Sequence, residues 1–403
     1  MSMCIRRSHR SHNEKYAANV FRMPLSNAAK FALRHNRNLQ AKDVILGAAF
    51  LAGNKFQRSA TSTEPKYTYI SQEETNETIH EALRQGIVEF DTAPLYGDSE
   101  DRLGVALAAS PLHAKAQITT KAGRLIRLLK GNRDVAIDPP KPFEPFSIPL
   151  EERVLVADYS RQGAEKSYSE SMERMCSHAN ADLGIHTLRM HDPDSFEGAC
   201  EQACSADGLV QGLVDLKNSG RIKNVSIGMN TNYGHKTVSK NTGGFETANW
   251  EPETILNIFD RVPDNTFDNA LLAYGWNLFN QDGLVVLEEC HDRGIQVHNA
   301  GVFAGIYHVN AGSVPFSFAE KEKLRKLNLW KALASNHNVS LPAVACSFSA
   351  LPNCVDKLVM GMKSVAEVNN NLNALEESNK VPVEIWAEAV EEGLLEDEIL
   401  ELF

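Results

Sequence analysis

The sequence predicts an α/β protein whose eight parallel strands close into a (β/α)8 barrel, the TIM-barrel architecture. Three observations lead there. Eight short apolar runs recur along the chain, and amphipathic stretches of helix length lie between most of them. The first run is not followed by the G-x-G-x-x-G turn that opens a dinucleotide-binding open sheet.

The predicted strands are DVILGAAF (43–50), GIVEFD (86–91), QITTK (117–121), IHTLRMH (185–191), KNVSIGM (223–229), FDNALLAY (267–274), IQVHNA (295–300) and KLVMG (357–361). The predicted helices include QEETNETIHEALRQ (72–85), SYSESMERMCSHANADLG (167–184), LVQGLVDLKNSG (209–220), PETILNIFDRV (252–262) and GLVVLEECHDRG (283–294). Ser167 and Glu170 have the spacing of a capping box. Gly184, Gly220 and Gly294 stand where C-terminal caps belong, and Pro342 is placed to open LPAVACSFSAL.

The barrel is expected over 41–376. Residues 1–40 read as an N-terminal extension outside the fold, dispensable for solubility and turnover. Its opening is basic, with Arg6, Arg7, Arg10, Lys15 and Arg22 against Glu14, but it lacks the apolar core of a secretory signal. The expected location is the cytoplasm, with an organellar transit segment as the alternative. Residues 54–68 are polar and read as a loop, and the proline-rich stretch 122–160 as an insertion on the scale of an active-site lid. Residues 377–403 read as helices packed outside the barrel.

A net charge of −11 repels phosphodiester backbones, which argues against nucleic acid as a partner. No run of about 18 apolar residues offers a membrane span. The seven cysteines are odd in number and lack a C-x-x-C, which suits a reducing compartment; Cys200 and Cys204, one helical turn apart, read as helix packing. No metal site is expected, and the expected partner is a small molecule. A monomer is compatible with all of this.

The stretch FDTAPLYGDSEDRLG (90–104) carries the chemistry. Its strand ends in Asp91, and Tyr96 lies in the following loop. The third predicted strand ends in Lys121 and the fourth in His191. Each has an ordinary reading: a turn aspartate, a surface tyrosine, a solvated lysine, a packed histidine. Four such groups on one barrel rim make a coherent site. A tyrosine hydroxyl can pass a proton to a carbonyl oxygen as hydride arrives, but its ordinary pKa of about 10 makes the reverse step slow near neutrality. An ammonium beside it favours tyrosinate, a carboxylate holds that ammonium in place, and a neutral imidazole orients the substrate oxygen. A different class of reading takes His191, Asp192 and Asp194 as metal ligands of a barrel hydrolase.

These words, with ITTKAGRL, DYSRQGAEKSYSESMERM, DLGIHTLRMHDPD and GMKSVAEVNNNL, resemble the aldo/keto reductase superfamily over residues 43–376. The similarity is greatest to its aldose (D-threo-aldose, L-fucose, L-galactose) and pyridoxal 4-dehydrogenases. The resemblance implies Tyr96 as general acid/base, Lys121 and Asp91 as its tuning pair, and His191 as the group that positions the carbonyl. It implies NADP or NAD as cofactor and an aldose-like or other small carbonyl or alcohol as substrate. Asn230 and Gly301 match nicotinamide positions, and Gly361, Lys363, Ser364, Glu367 and Asn371 the adenosine end. Lys363 favours a 2′-phosphate, while Glu367, where glutamine is usual, repels one. Ala273 replaces a common glutamine, and NAGVFAGIY after the seventh strand lacks the branch's Asn-Ser pair, though Phe303 could pack on the nicotinamide. These departures leave room for a dinucleotide-binding regulatory or scaffolding protein with little turnover.

Overall fold

The computed structural model describes residues 38–52, 70–128, 137–138, 153–176, 183–194, 198–232, 234–239, 245–306, 318–351 and 353–400. In chain order the strands are β1 (Val44–Gly47), β2 (Glu89–Asp91), β3 (Gln117–Ala122), β4 (Arg124–Leu128), β5 (Ile137–Asp138), β6 (Arg153–Ala157), β7 (Ile185–His191), β8 (Asn224–Asn230), β9 (Gly234–Ser239), β10 (Phe245–Trp250), β11 (Asn269–Ala273), β12 (Gln296–Ala300) and β13 (Val355–Gly361). Eight of them, in the order β1-β13-β12-β11-β8-β7-β3-β2, form a closed parallel barrel. The predicted (β/α)8 fold is therefore present, and all eight predicted runs supply its strands.

Local chemistry explains the surrounding helices. Helix Gln72–Arg84 opens with a reciprocal cap: Ser71 Oγ accepts from Glu74 N–H, and the Glu74 carboxylate accepts from Ser71 N–H. It turns Ile79, Ala82 and Leu83 inward. Helix Leu341–Ser349 begins at Ser340, whose Oγ accepts from Ala343 N–H, with Pro342 in its first turn. Gly220 and Gly294 follow their helices at φ 75° and 68°, as C-terminal caps should.

Three expectations need correction. The helix expected over 167–184 spans Arg161–Cys176. Its cap is Ser160, whose Oγ accepts from Gly163 N–H while Asp158 Oδ1 accepts from the Ser160 hydroxyl. Ser167 sits inside the helix, buried, and Gly184 stands just before β7. The stretch 122–160 is not all loop: β4, β6 and β5 form a three-stranded antiparallel sheet, pairing Arg124 with Ala157 and Ile137 with Val156. Its five prolines, 139 to 149, lie outside the described residues. An antiparallel pair, β9 with β10, follows β8 where the sequence reading had no strands.

Residues 1–37 and 53–69, among them the polar stretch 54–68, also lie outside the described residues. The described chain reaches into the nominal extension: Leu39 is buried, its N–H donates to Asn379 Oδ1 at 2.8 Å, and its carbonyl accepts from Asn379 Nδ2 at 3.1 Å. At the other end, helix Glu384–Glu391 inserts Trp386 between Phe348 and Trp330, with ring centroids 5.7 and 6.5 Å away. Among the described residues no helix is long and apolar enough to cross a membrane.

Candidate active site

The word around Tyr96 is fixed by its polar residues. Ser99 Oγ donates to the Ala48 carbonyl and shares a hydrogen bond with Thr92 Oγ1, each at 2.8 Å. Arg102, buried, pairs with Asp98 at 3.0 Å and donates to the Ile70 carbonyl at 2.6 Å. Buried Glu100 accepts from Arg174 at 2.5 Å and from the Thr120 hydroxyl. Each buried charge thus has a partner, and together they tie the loop from β2 to its neighbours.

On that base the four predicted groups converge. Lys121 Nζ donates to Asp91 Oδ1 and, at 2.8 Å, to the Thr92 carbonyl. The ammonium lies over the Tyr96 ring, 4.6 Å from its centroid. The His191 ring meets Tyr96 edge-on, centroids 6.0 Å apart. The turn beyond His191 is clamped by Tyr159, whose hydroxyl is shared between the carbonyls of His191 (2.6 Å) and Asp192 (2.7 Å). That clamp requires Gly123: a Cβ there would stand 2.5 Å from the Tyr159 ring.

Electrostatics differ in one respect from expectation. The Tyr96 phenol is pushed well above its ordinary value, first by burial and then by the charges of Asp91 and Asp192. Burial, and next to it the Arg189 charge, lowers Lys121, while Asp91 opposes the shift. With Asp91 bonded directly to it, Lys121 does not give the net depression of Tyr96 anticipated from sequence. Burial and the neighbouring carboxylates thus favour the protonated phenol.

Every predicted site residue except Ser364 lines one cavity of about 680 Å³ at the C-terminal ends of the strands. Asp91, Tyr96, Lys121 and His191 lie along it with Asn230, Gly301, Gly361, Lys363, Glu367 and Asn371. Ser364 instead caps helix Val365–Ser378, its Oγ accepting from Glu367 N–H at 3.2 Å. Glu367 Oε2 accepts from Lys363 N–H at 2.9 Å, and its other oxygen lies 3.9 Å from Lys363 Nζ. The space above Gly361 is taken by Phe50, 53% exposed, whose ring a Cβ at 361 would meet at 2.3 Å. Phe303 lines the cavity and is partly buried. A cavity of this volume, lined by an amide (Asn230) and by a lysine beside a helix N-terminus (Lys363), has room and polar groups for a dinucleotide. Among the described residues no group of three or more His, Cys, Asp or Glu is gathered as a metal site, so His191, Asp192 and Asp194 do not form one.

Sequence reading missed several residues. Arg189 lies two positions before His191, fully buried, with Nε 3.3 Å from Asp91 Oδ2. Arg124 lies 3.7 Å from Asp192 Oδ2. Both sit amid apolar strand sequence, and Arg189 shares the two-residue period of His191, which was the available signal. Tyr274 lines the same cavity, 49% exposed, at φ 64°. Left-handed backbone costs a residue with a Cβ about 1–2 kcal/mol. Tyr274→Gly is therefore expected to be more stable than Tyr274→Ala by about 1 kcal/mol, the reverse of the usual order. Denaturant unfolding of the two variants checks this; an alanine variant at least as stable would remove the strain.

The profile of the Aldo/keto reductase family matches residues 59–388, most of the chain. The chain belongs to the aldo/keto reductase family. It is thus a nicotinamide-dependent oxidoreductase of carbonyl and alcohol substrates. Curated relatives include pyridoxal 4-dehydrogenase of Microbacterium luteolum, 27% identical over 339 residues, covering 82% of this chain and 91% of the relative. D-threo-aldose 1-dehydrogenase of Pseudomonas sp. is 27% identical over 360 residues, covering 86% and 96%. L-galactose dehydrogenase of Arabidopsis thaliana is 23% identical over 330 residues, covering 81% and 86%. These relatives fall in the branch the sequence words resemble. Among solved structures, glycerol dehydrogenase of Gluconobacter oxydans superposes with a TM-score of 0.57 at 17% identity, covering 92% of this chain and 97% of that one, a likeness of fold.

Proposed function

We propose that this aldo/keto reductase interconverts an aldose-like or other small alcohol and its carbonyl form, with Tyr96 as general acid/base. The observation that carries the reading is the convergence of Asp91, Tyr96, Lys121 and His191 on one wall of the cavity. Bound in that cavity, the nicotinamide dinucleotide supplies or takes up the hydride. Tyr96 gives its phenolic proton to the substrate oxygen as the carbonyl carbon is reduced, and takes it back in oxidation. Lys121 limits the cost of the transient negative charge on the phenol, and Asp91 keeps the ammonium in place. His191, held by the Tyr159 clamp, orients the substrate oxygen. Asn230 would hold the nicotinamide amide, with Gly301 and Phe303 bordering that end, and Gly361, Lys363, Glu367 and Asn371 would border the adenosine end, where Ser364 caps the helix.

The same reading favours NAD over NADP. Glu367 already places a carboxylate at the helix N-terminus, against the Lys363 N–H, where a 2′-phosphate would otherwise lie. Glu367→Gln is expected to tighten NADP binding roughly tenfold or more relative to NAD, the scale of one charge-assisted contact. Fluorescence titration with both cofactors checks it; an unchanged ratio would take Glu367 out of the selection.

The test of the function is a turnover screen of aldoses, pyridoxal and simple carbonyls with both cofactors. Tight cofactor binding without turnover on any of them would favour the regulatory binder instead.

A further inference from the structure

We infer that Arg189 is a positioning residue of this site: it is the permanent counter-ion of Asp91, and it sets the pH range over which Lys121 and Tyr96 give up their protons. The inference rests on the proposed acid/base role of Tyr96 and goes beyond it.

The geometry is specific. Lys121 and Arg189 are register partners on β3 and β7, and Asp91 stands between their side chains. Lys121 bonds one carboxylate oxygen, and Arg189 Nε lies 3.3 Å from the other. Arg189 is 0% exposed. Its Nη1 donates to the Ile227 carbonyl at 3.4 Å and its Nη2 to His298 Nδ1 at 3.1 Å. A guanidinium has no acceptor, so Nδ1 must accept and the imidazole is neutral with its proton on Nε2. Burial and the Arg189 charge both hold His298 well below its ordinary value, in agreement. Room for the arginine comes from Gly228 on β8, where a Cβ would stand 2.6 Å from Arg189 Cδ.

Count the charges. Two buried cations share one carboxylate. The other charged groups around them are already paired: Asp192 lies near Arg124 and His191, and Glu89 pairs with Lys357 at 2.9 Å. Tyr96 and His298 face the cluster as neutral groups, the phenol held protonated by burial and the imidazole held unprotonated by burial and by Arg189. The surplus positive charge is removed in either of two ways: Lys121 loses a proton, or an oxygen at Tyr96 or the substrate becomes negative. A guanidinium stays charged through the whole working range. Asp91 therefore keeps a partner even when Lys121 is a neutral amine. Removing the arginine removes a cation, which raises the proton affinity of both Lys121 and Tyr96.

The experiment compares wild type with Arg189→Met, Arg189→Lys and Gly228→Ala. The first readout is single-turnover carbonyl reduction against pH, followed by nicotinamide absorbance. The alkaline limb is expected to move up by about one pH unit in Arg189→Met. It should return towards wild type in Arg189→Lys, and move up by less in Gly228→Ala, which displaces the guanidinium without deleting it. A structural role alone would scale the rate at every pH and leave the limb in place. The second readout needs no substrate: tyrosinate absorbance in cofactor-free protein, each background compared with its Tyr96→Phe derivative, gives the Tyr96 transition directly. That transition must also move up. If Arg189→Met does not fold, Gly228→Ala and Arg189→Lys carry the comparison. A limb or Tyr96 transition that stays put or moves down overturns the inference. An upward Tyr96 transition in a protein that turns over no substrate keeps it and sinks the proposed activity instead.

Discussion

Tyr96→Phe is expected to lower hydride transfer by about 10²–10⁴-fold, the worth of general acid/base catalysis. The substitution removes one oxygen and keeps the ring, so the edge contact with His191 and the face presented to Lys121 both remain. Folding and cofactor binding should change little. Substrate affinity should fall much less than rate, because the lost interaction strengthens mainly in the transition state. Lys121→Met should also be severely impaired. Combining the two should add little, since the lysine acts through the tyrosine. Single-turnover absorbance on the four proteins checks all of this. Near-normal transfer by Tyr96→Phe would take the acid/base role away from Tyr96 and assign the proton route to another group of the cavity. Two independent losses that simply multiplied would mean that Lys121 acts on the substrate directly.

What the sequence made legible follows from physics that acts locally. Parallel barrel strands are buried on both faces, so they show as apolar runs, and their ends show as the polar residues that terminate them. Asp91, Lys121 and His191 could be read for that reason. Arg189 escaped because a buried cation inside an apolar run carries no terminal signal; its meaning lies in Asp91, almost a hundred residues away. The start of helix Arg161–Cys176 was misplaced because two serines compete as caps. Ser160 wins because Asp158 holds its hydroxyl, whereas Ser167 is drawn into the interior against the Gly123 N–H. The antiparallel strands β9 (GHKTVS) and β10 (FETANW) lack the apolar density of the barrel runs, whereas β4 (RLIRL) and β6 (RVLVA) have it but lie in the proline-rich stretch that was read as a loop. The direction of the Tyr96 shift could not be read either. It depends first on how deeply the phenol is buried and then on how near the Asp91 and Asp192 charges stand, and only the folded structure sets either.

Asp91→Asn is expected to be the most destabilising polar substitution in the site. Asparagine keeps the shape but leaves Lys121 and Arg189, both buried, without their shared carboxylate. Removing one partner of a buried ion pair costs about 3–5 kcal/mol. The two cations differ in how they escape: Lys121 can become a neutral amine, and Arg189 cannot. In the variant the folded-state proton affinity of Lys121 falls further below its unfolded value than the depression already present in the wild type. The unfolded chain then binds the extra proton, so stability rises with pH up to the unfolded lysine pKa near 10.4. The cost of Asp91→Asn should therefore shrink between pH 7 and pH 10. It should shrink again in an Arg189→Met background, where only the cation able to discharge itself remains. The double variant should then be more stable than the sum of the single losses predicts, by about 0.5–3 kcal/mol. Denaturant unfolding of the wild type, both single variants and the double variant at pH 7 and near pH 10 measures both effects. A loss below about 1 kcal/mol that does not change with pH would mean that Asp91 does not balance these charges. The shared-carboxylate account of Lys121 and Arg189 would then fail together with the positioning role drawn from it.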